Sequence, residues 1–235
     1  MLWYKAWLET RWRFLFLIGS ILLVWLEPVW MPALGMKLPP SLPASRLWLA
    51  LQLGSILLSL FAAIFLAGSG VNSQTTYGLT SGFHGSMLFT LSLPVSRRRL
   101  LFVRAGLGAI QTSVLVAILA GLTLVQRPIA TTAPEALTYV MRAIICTMAV
   151  YALSVLLACL LDEMWQFSGG CLFWMAVFIL QVRFVGVARI SPLRGMSLIS
   201  YPISAPIPWL PIVASLVLAF GLLYTSVLVL QRKEY

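Results

Sequence analysis

Charge is scarce in this 235-residue chain: Asp, Glu, Lys and Arg together make up 9% of it, where a soluble domain carries about 25%. So little charge cannot cover a globular surface with polar groups, and a soluble enzyme is excluded. Acidic residues are the scarcer kind, six against sixteen basic ones. Asp162 and Glu163 are adjacent, so a helix would point them about 100° apart, as the solvated end of a helix rather than a working carboxylate pair. His84 is the sole histidine, which leaves intramembrane hydrolysis without its usual base or metal cluster. None of the lysines, Lys5, Lys37 and Lys233, follows a glycine. A phosphate-cradling loop ending in Gly-Lys-Ser/Thr is therefore missing, and the chain is not its own ATPase of that kind. Cys146, Cys159 and Cys171 are odd in number, lie inside apolar runs and lack metal-ligand spacing. They are expected to be small buried side chains, not a disulfide framework.

Apolar residues are abundant, at 61% with a mean hydropathy of +0.98. They form six runs, at 14–30, 47–66, 100–125, 137–161, 167–187 and 212–230, each near the length of about 20 residues that crosses a bilayer. The first resembles the front of a secretory signal, but no small-residue cleavage site follows it and five more runs do, so it is a retained span. Ahead of it, residues 1–13 carry Trp3 and Trp7 four apart and a stripe of Lys5, Glu9 and Arg13 at the same spacing. That pattern predicts a helix lying in the interface, rings among headgroups and charges toward water. Pro32, Pro39, Pro40 and Pro43 make 31–46 a loop. Between Arg183 and Pro211, arginines and prolines interrupt an apolar composition, so 188–211 is expected to be an irregular, outward-facing segment, partly embedded or re-entrant. The expected architecture is one all-α membrane domain over 1–235, with six transmembrane helices preceded by an amphipathic interfacial helix.

The net charge of +10 does not point to nucleic acid, because the basic residues sit singly or in threes at the ends of apolar runs, where they meet anionic lipid headgroups. With the amino terminus inside, clusters at Lys5, Arg11 and Arg13, at Arg97 to Arg99 with Arg104, and at Arg232 and Lys233 all fall on the cytoplasmic side. Lys37, Arg46, Arg127, Arg142, Arg183, Arg189 and Arg194 fall outside. Both termini and the 67–99 loop are thus expected in the cytoplasm. Within the spans, Gln52, Ser55 and Ser59 share one helical face, as do Arg104, Gly108 and Gln111. Polar groups at membrane depth turn toward a watery path or toward other helices. Both readings, pathway lining and interhelical hydrogen bonding, stand for these residues, and Arg104 is close enough to the boundary to snorkel.

The stretch from Gly82 to Arg104 reads GFHGSMLFTLSLPVSRRRLLFVR. Met87, Leu88 and Leu91 give it a short apolar face, and Pro94 ends the segment. Such a helix fits a groove on a partner or rests on lipid. LFTLSLPVSRRRLL, from Leu88 to Leu101, resembles the leucine-rich, Pro-Val-Ser-Arg sequence between the second and third spans of type-2 ABC transporter permeases, the membrane subunits of bacterial exporters. The interfacial amino-terminal helix, the six spans and the irregular segment before the last are similar to that family along the whole chain. The resemblance implies a bacterial inner-membrane protein in which two permease chains, identical or different, form the translocation path. It also implies a coupling helix against a separate cytoplasmic ABC ATPase, which holds the ATP and Mg, with no cofactor in this chain. That coupling role falls on His84, Met87, Leu88, Leu91, Pro94, Arg97, Arg98 and Arg99. The alternative is a non-transporting membrane assembly or scaffold protein.

Overall fold

The computed structural model describes residues 2–25, 44–67, 97–125, 132–161, 163–197 and 206–232. Among them the chain is all helical: α1 Leu2–Trp25, α2 Ala44–Ala67, α3 Arg97–Val125, α4 Ala133–Leu160, α5 Glu163–Arg183, α6 Val185–Ile190, α7 Pro192–Met196 and α8 Trp209–Arg232.

α4 is the axis of the bundle. It packs against α2, α3, α5, α7 and α8, and 61% of its apolar stretch is buried, against 17% for α5 and 22% for α8. The sequence sets this up at both levels. At its start, Glu135 accepts hydrogen bonds from the Thr132 N–H (2.9 Å) and the Thr132 hydroxyl (2.8 Å), which fixes the first turn. Further along, Ala143, Cys146, Ala149, Ala152 and Ala158 are small and buried, so neighbouring helices come close. Its hydroxyls turn back on their own helix, Thr147 to Ala143 O at 2.8 Å and Ser154 to Val150 O at 2.9 Å. A hydroxyl satisfied in this way can be buried without a partner on another helix.

Four helices, α3 over Leu101–Val125, α4 over Ala133–Leu160, α5 over Trp165–Arg183 and α8 over Trp209–Val229, are long and apolar enough to cross a membrane. α2 carries a shorter apolar stretch, Gln52–Ala67. Large side chains such as Leu172, Phe178 and Val182 on α5 and Val217, Phe220 and Tyr224 on α8 stand exposed. Exposed apolar area of this extent is costly in water and not in lipid. The chain is a multi-pass α-helical membrane protein.

Several boundaries differ from the sequence reading. α1 runs unbroken through the expected interfacial segment and into the expected first span, since nothing between Arg13 and Phe14 interrupts helical geometry. The three arginines expected in the loop form the first turn of α3, because arginine is a good helix former and an apolar run does not have to coincide with a hydrogen-bonded one. α5 starts at Glu163 rather than 167 and stops at Arg183 rather than 187, where Phe184 turns extended (φ −121°, ψ 112°). The described beginning of the 188–211 segment is helical: α6 and α7 are joined at Ser191, extended as a residue before proline must be, and Pro192 opens α7. Pro192, Leu193, Gly195 and Met196 are buried, so α7 is part of the bundle.

Candidate functional site

Five buried polar positions on α2 and α3 were marked by the sequence, and the structure places all of them inside the bundle: Gln52, Ser55, Ser59, Arg104 and Gln111. They do not converge. Ser55 and Ser59 donate to Gln52 O and Ser55 O, each at 2.8 Å, and together they line a cavity of about 10 Å³ with Val116, Tyr139, Ala143 and Met196. That is room for one water molecule, not for cargo. Gln52, one turn away on the same face, is fully buried and its amide has no hydrogen-bond partner among the described residues. Gln111 instead faces α1, donating through Nε2 to Thr10 Oγ1 at 2.9 Å. Gly108, on the Arg104 and Gln111 face, lies under the Tyr151 hydroxyl of α4, which donates to Ala105 O at 2.8 Å. At Gln111 and at Gly108 this face of α3 is therefore an interhelical contact, with α1 on one flank and α4 on the other.

The sequence reading missed several functional-looking groups. Arg142 was assigned to an outer flank; it lies about 14 Å along α4 and is buried, its guanidinium 5.4 Å from the Tyr139 ring centroid. An ionisable side chain buried in a membrane helix marks a site by default. The available signal was the spacing of Tyr139, Arg142 and Cys146 on one helical face. Ser215 of α8 is buried, its hydroxyl donating to Pro211 O at 2.6 Å. Gly195 of α7 closes the same region, where an added Cβ would lie 2.5 Å from Cys146 Sγ and 3.4 Å from Pro211 Cβ. Arg13 and Gln166 both bond to the last described turn of α2, and Gln166 falls between the fourth and fifth apolar runs. Thr10 carried no signal, since its partner Gln111 lies 101 residues away.

The expected coupling residues His84, Met87, Leu88, Leu91 and Pro94 lie outside the described residues. Arg97, Arg98 and Arg99 are in the first turn of α3, with Arg99 exposed. Among the described residues, no group of three or more His, Cys, Asp or Glu side chains is placed to hold a metal ion.

No protein-family model, curated protein or solved structure matches the chain.

Proposed function

We propose that this chain is the permease subunit of an ATP-driven type-2 ABC exporter in a bacterial inner membrane. In this reading the first half of α1 is an interfacial helix, and six spans follow from its second half and from α2, α3, α4, α5 and α8. Two chains enclose the path, and a separate ATPase supplies ATP hydrolysis with its Mg. The observation that carries it is the Leu88–Leu101 sequence, which precedes α3 and runs into its first residues, α3 being packed on α2. Closure of the ATPase pair on nucleotide would push the His84–Arg99 segments and shift the permeases between two arrangements. The chain thus couples to the chemistry without performing it.

Hydrolysis assays test this reading. The purified chain is expected to hydrolyse no ATP, and activity is expected to appear only with a second subunit. Robust hydrolysis by the chain alone, surviving removal of contaminating ATPases, would sink the assignment. Topology gives an independent check. In a background lacking Cys146, Cys159 and Cys171, Ser96→Cys is expected to resist membrane-impermeant thiol reagents in intact cells and to react after the membrane is opened. Labelling from outside would place the arginine cluster on the wrong side.

A further inference from the structure

A carbonyl oxygen has two lone pairs and a helical bond uses one of them, so a side chain from a neighbouring helix can donate to the other. The carbonyls of Ile64 and Phe65 lie in the last described turn of α2. Side chains from two other helices reach them. Gln166 of α5 is buried and donates through Nε2 to Ile64 O at 3.1 Å. Arg13 of α1 donates through Nη1 to Phe65 O at 3.4 Å and lays its guanidinium over the Phe65 ring, 5.3 Å from the centroid.

The apolar contacts converge on the same turn. Phe65 stacks on Phe61 at 5.7 Å, and Phe61 meets Phe167 of α5 edge-on at 5.4 Å. Opposite Ile64 stands Gly170, where an added Cβ would lie 3.3 Å from Ile64 Cγ2, so α5 comes close to α2 here. From the other helix, Leu17 and Ile21 of α1 share a buried cluster with Ala62 and Leu66. α1 and α5 share no extended packing of their own among the described residues. Their connection runs through this turn.

We propose that the last described turn of α2 is a mechanical joint, with Arg13 and Gln166 as positioning residues that grip successive carbonyls and make α1 and α5 follow α2. Only the purpose of the joint, transmitting motion from residues 68–96, rests on the transporter reading. The grip itself is a property of this chain.

Hydrogen exchange of the full-length chain in lipid nanodiscs tests the joint without ATPase or nucleotide. Exchange reports local opening, and removing one grip is expected to be felt across the joint. Arg13→Leu should speed exchange about tenfold in the first two turns of α5, which Arg13 does not hold. Gln166→Leu should do the same in α1 around Thr10 to Leu17. Arg13→Lys, which keeps the cation, should restore most of the protection. Gln166→Asn, too short by one methylene to reach Ile64 O, serves if the leucine variant does not fold and should reproduce its effect on α1. Faster exchange confined to the mutated helix and α2, or unchanged exchange throughout, would overturn the joint. Neither outcome bears on whether an ATPase binds the chain, and a missing ATPase would remove the transporter reading while leaving the exchange result intact.

Discussion

Gly108→Ala is expected to destabilise the protein by about 2 kcal/mol, the range for adding a methyl group to a filled interior. The added Cβ would collide with the Tyr151 hydroxyl and lie 3.2 Å from Tyr151 Cζ. The ring, buried between α3 and α4, has to move, and moving it breaks the 2.8 Å hydrogen bond to Ala105 O. A phenolic hydroxyl left without a partner in an apolar interior adds its own cost. Tyr151→Phe removes both the hydroxyl and the worst contact, so the same alanine should cost roughly half as much in that background, a coupling of about 1 kcal/mol. Gly121 on the same helix is the control. Nothing lies within 4 Å of a Cβ there, and Gly121→Ala should be neutral or stabilising by up to about 1 kcal/mol. Thermal unfolding of detergent-solubilised protein reads all four variants. Equal costs for the two alanines, or no coupling to Tyr151→Phe, would show that α3 and α4 do not meet at Gly108.

Met87→Asp and Leu91→Asp are expected to abolish coupling to the ATPase while leaving expression and folding near wild type. Each puts a carboxylate on the short apolar face read from the sequence. If that face is buried against a protein partner, an unpaired charge costs several kcal/mol there, about a hundredfold or more in affinity. The helical bundle should be indifferent, because these residues fall in the connection between α2 and α3. A segment resting on lipid would lose that contact and still retain the ATPase. Copurification of the ATPase with a normally expressed variant, read with stimulation of hydrolysis, separates these outcomes. Wild-type binding and coupling in both variants would remove this face from the mechanism.

Much of the architecture is legible in the sequence, because crossing a bilayer demands long apolar runs and these can be read locally. The interiors of α2, α3, α4, α5 and α8 fall where those runs fall. Ends were less legible: the apolar run behind α3 starts at Leu100, yet hydrogen bonding continues back to Arg97, since arginines take helical geometry as readily as leucines do. Pairings were not legible at all. Gly108 was visible on a polar face, but nothing local says that the space above it belongs to Tyr151, and Gln166 gives no local sign of its bond to Ile64, 102 residues away. Arg142 shows the same limit from the other side. Near the end of a run it reads as a flank residue, and only the packing of α4 against its neighbours reveals that it is buried.

The central claim, that this chain is the membrane half of an ATP-driven transporter, is tested most directly by affinity purification of the wild-type chain from its native membrane. The expected result is a cytoplasmic ABC ATPase retained in stoichiometric amount, with ATP hydrolysis in the complex and none in the chain alone. A preparation that carries other membrane proteins reproducibly but no ATPase, and that hydrolyses no ATP, would contradict the claim and favour an assembly or scaffold role.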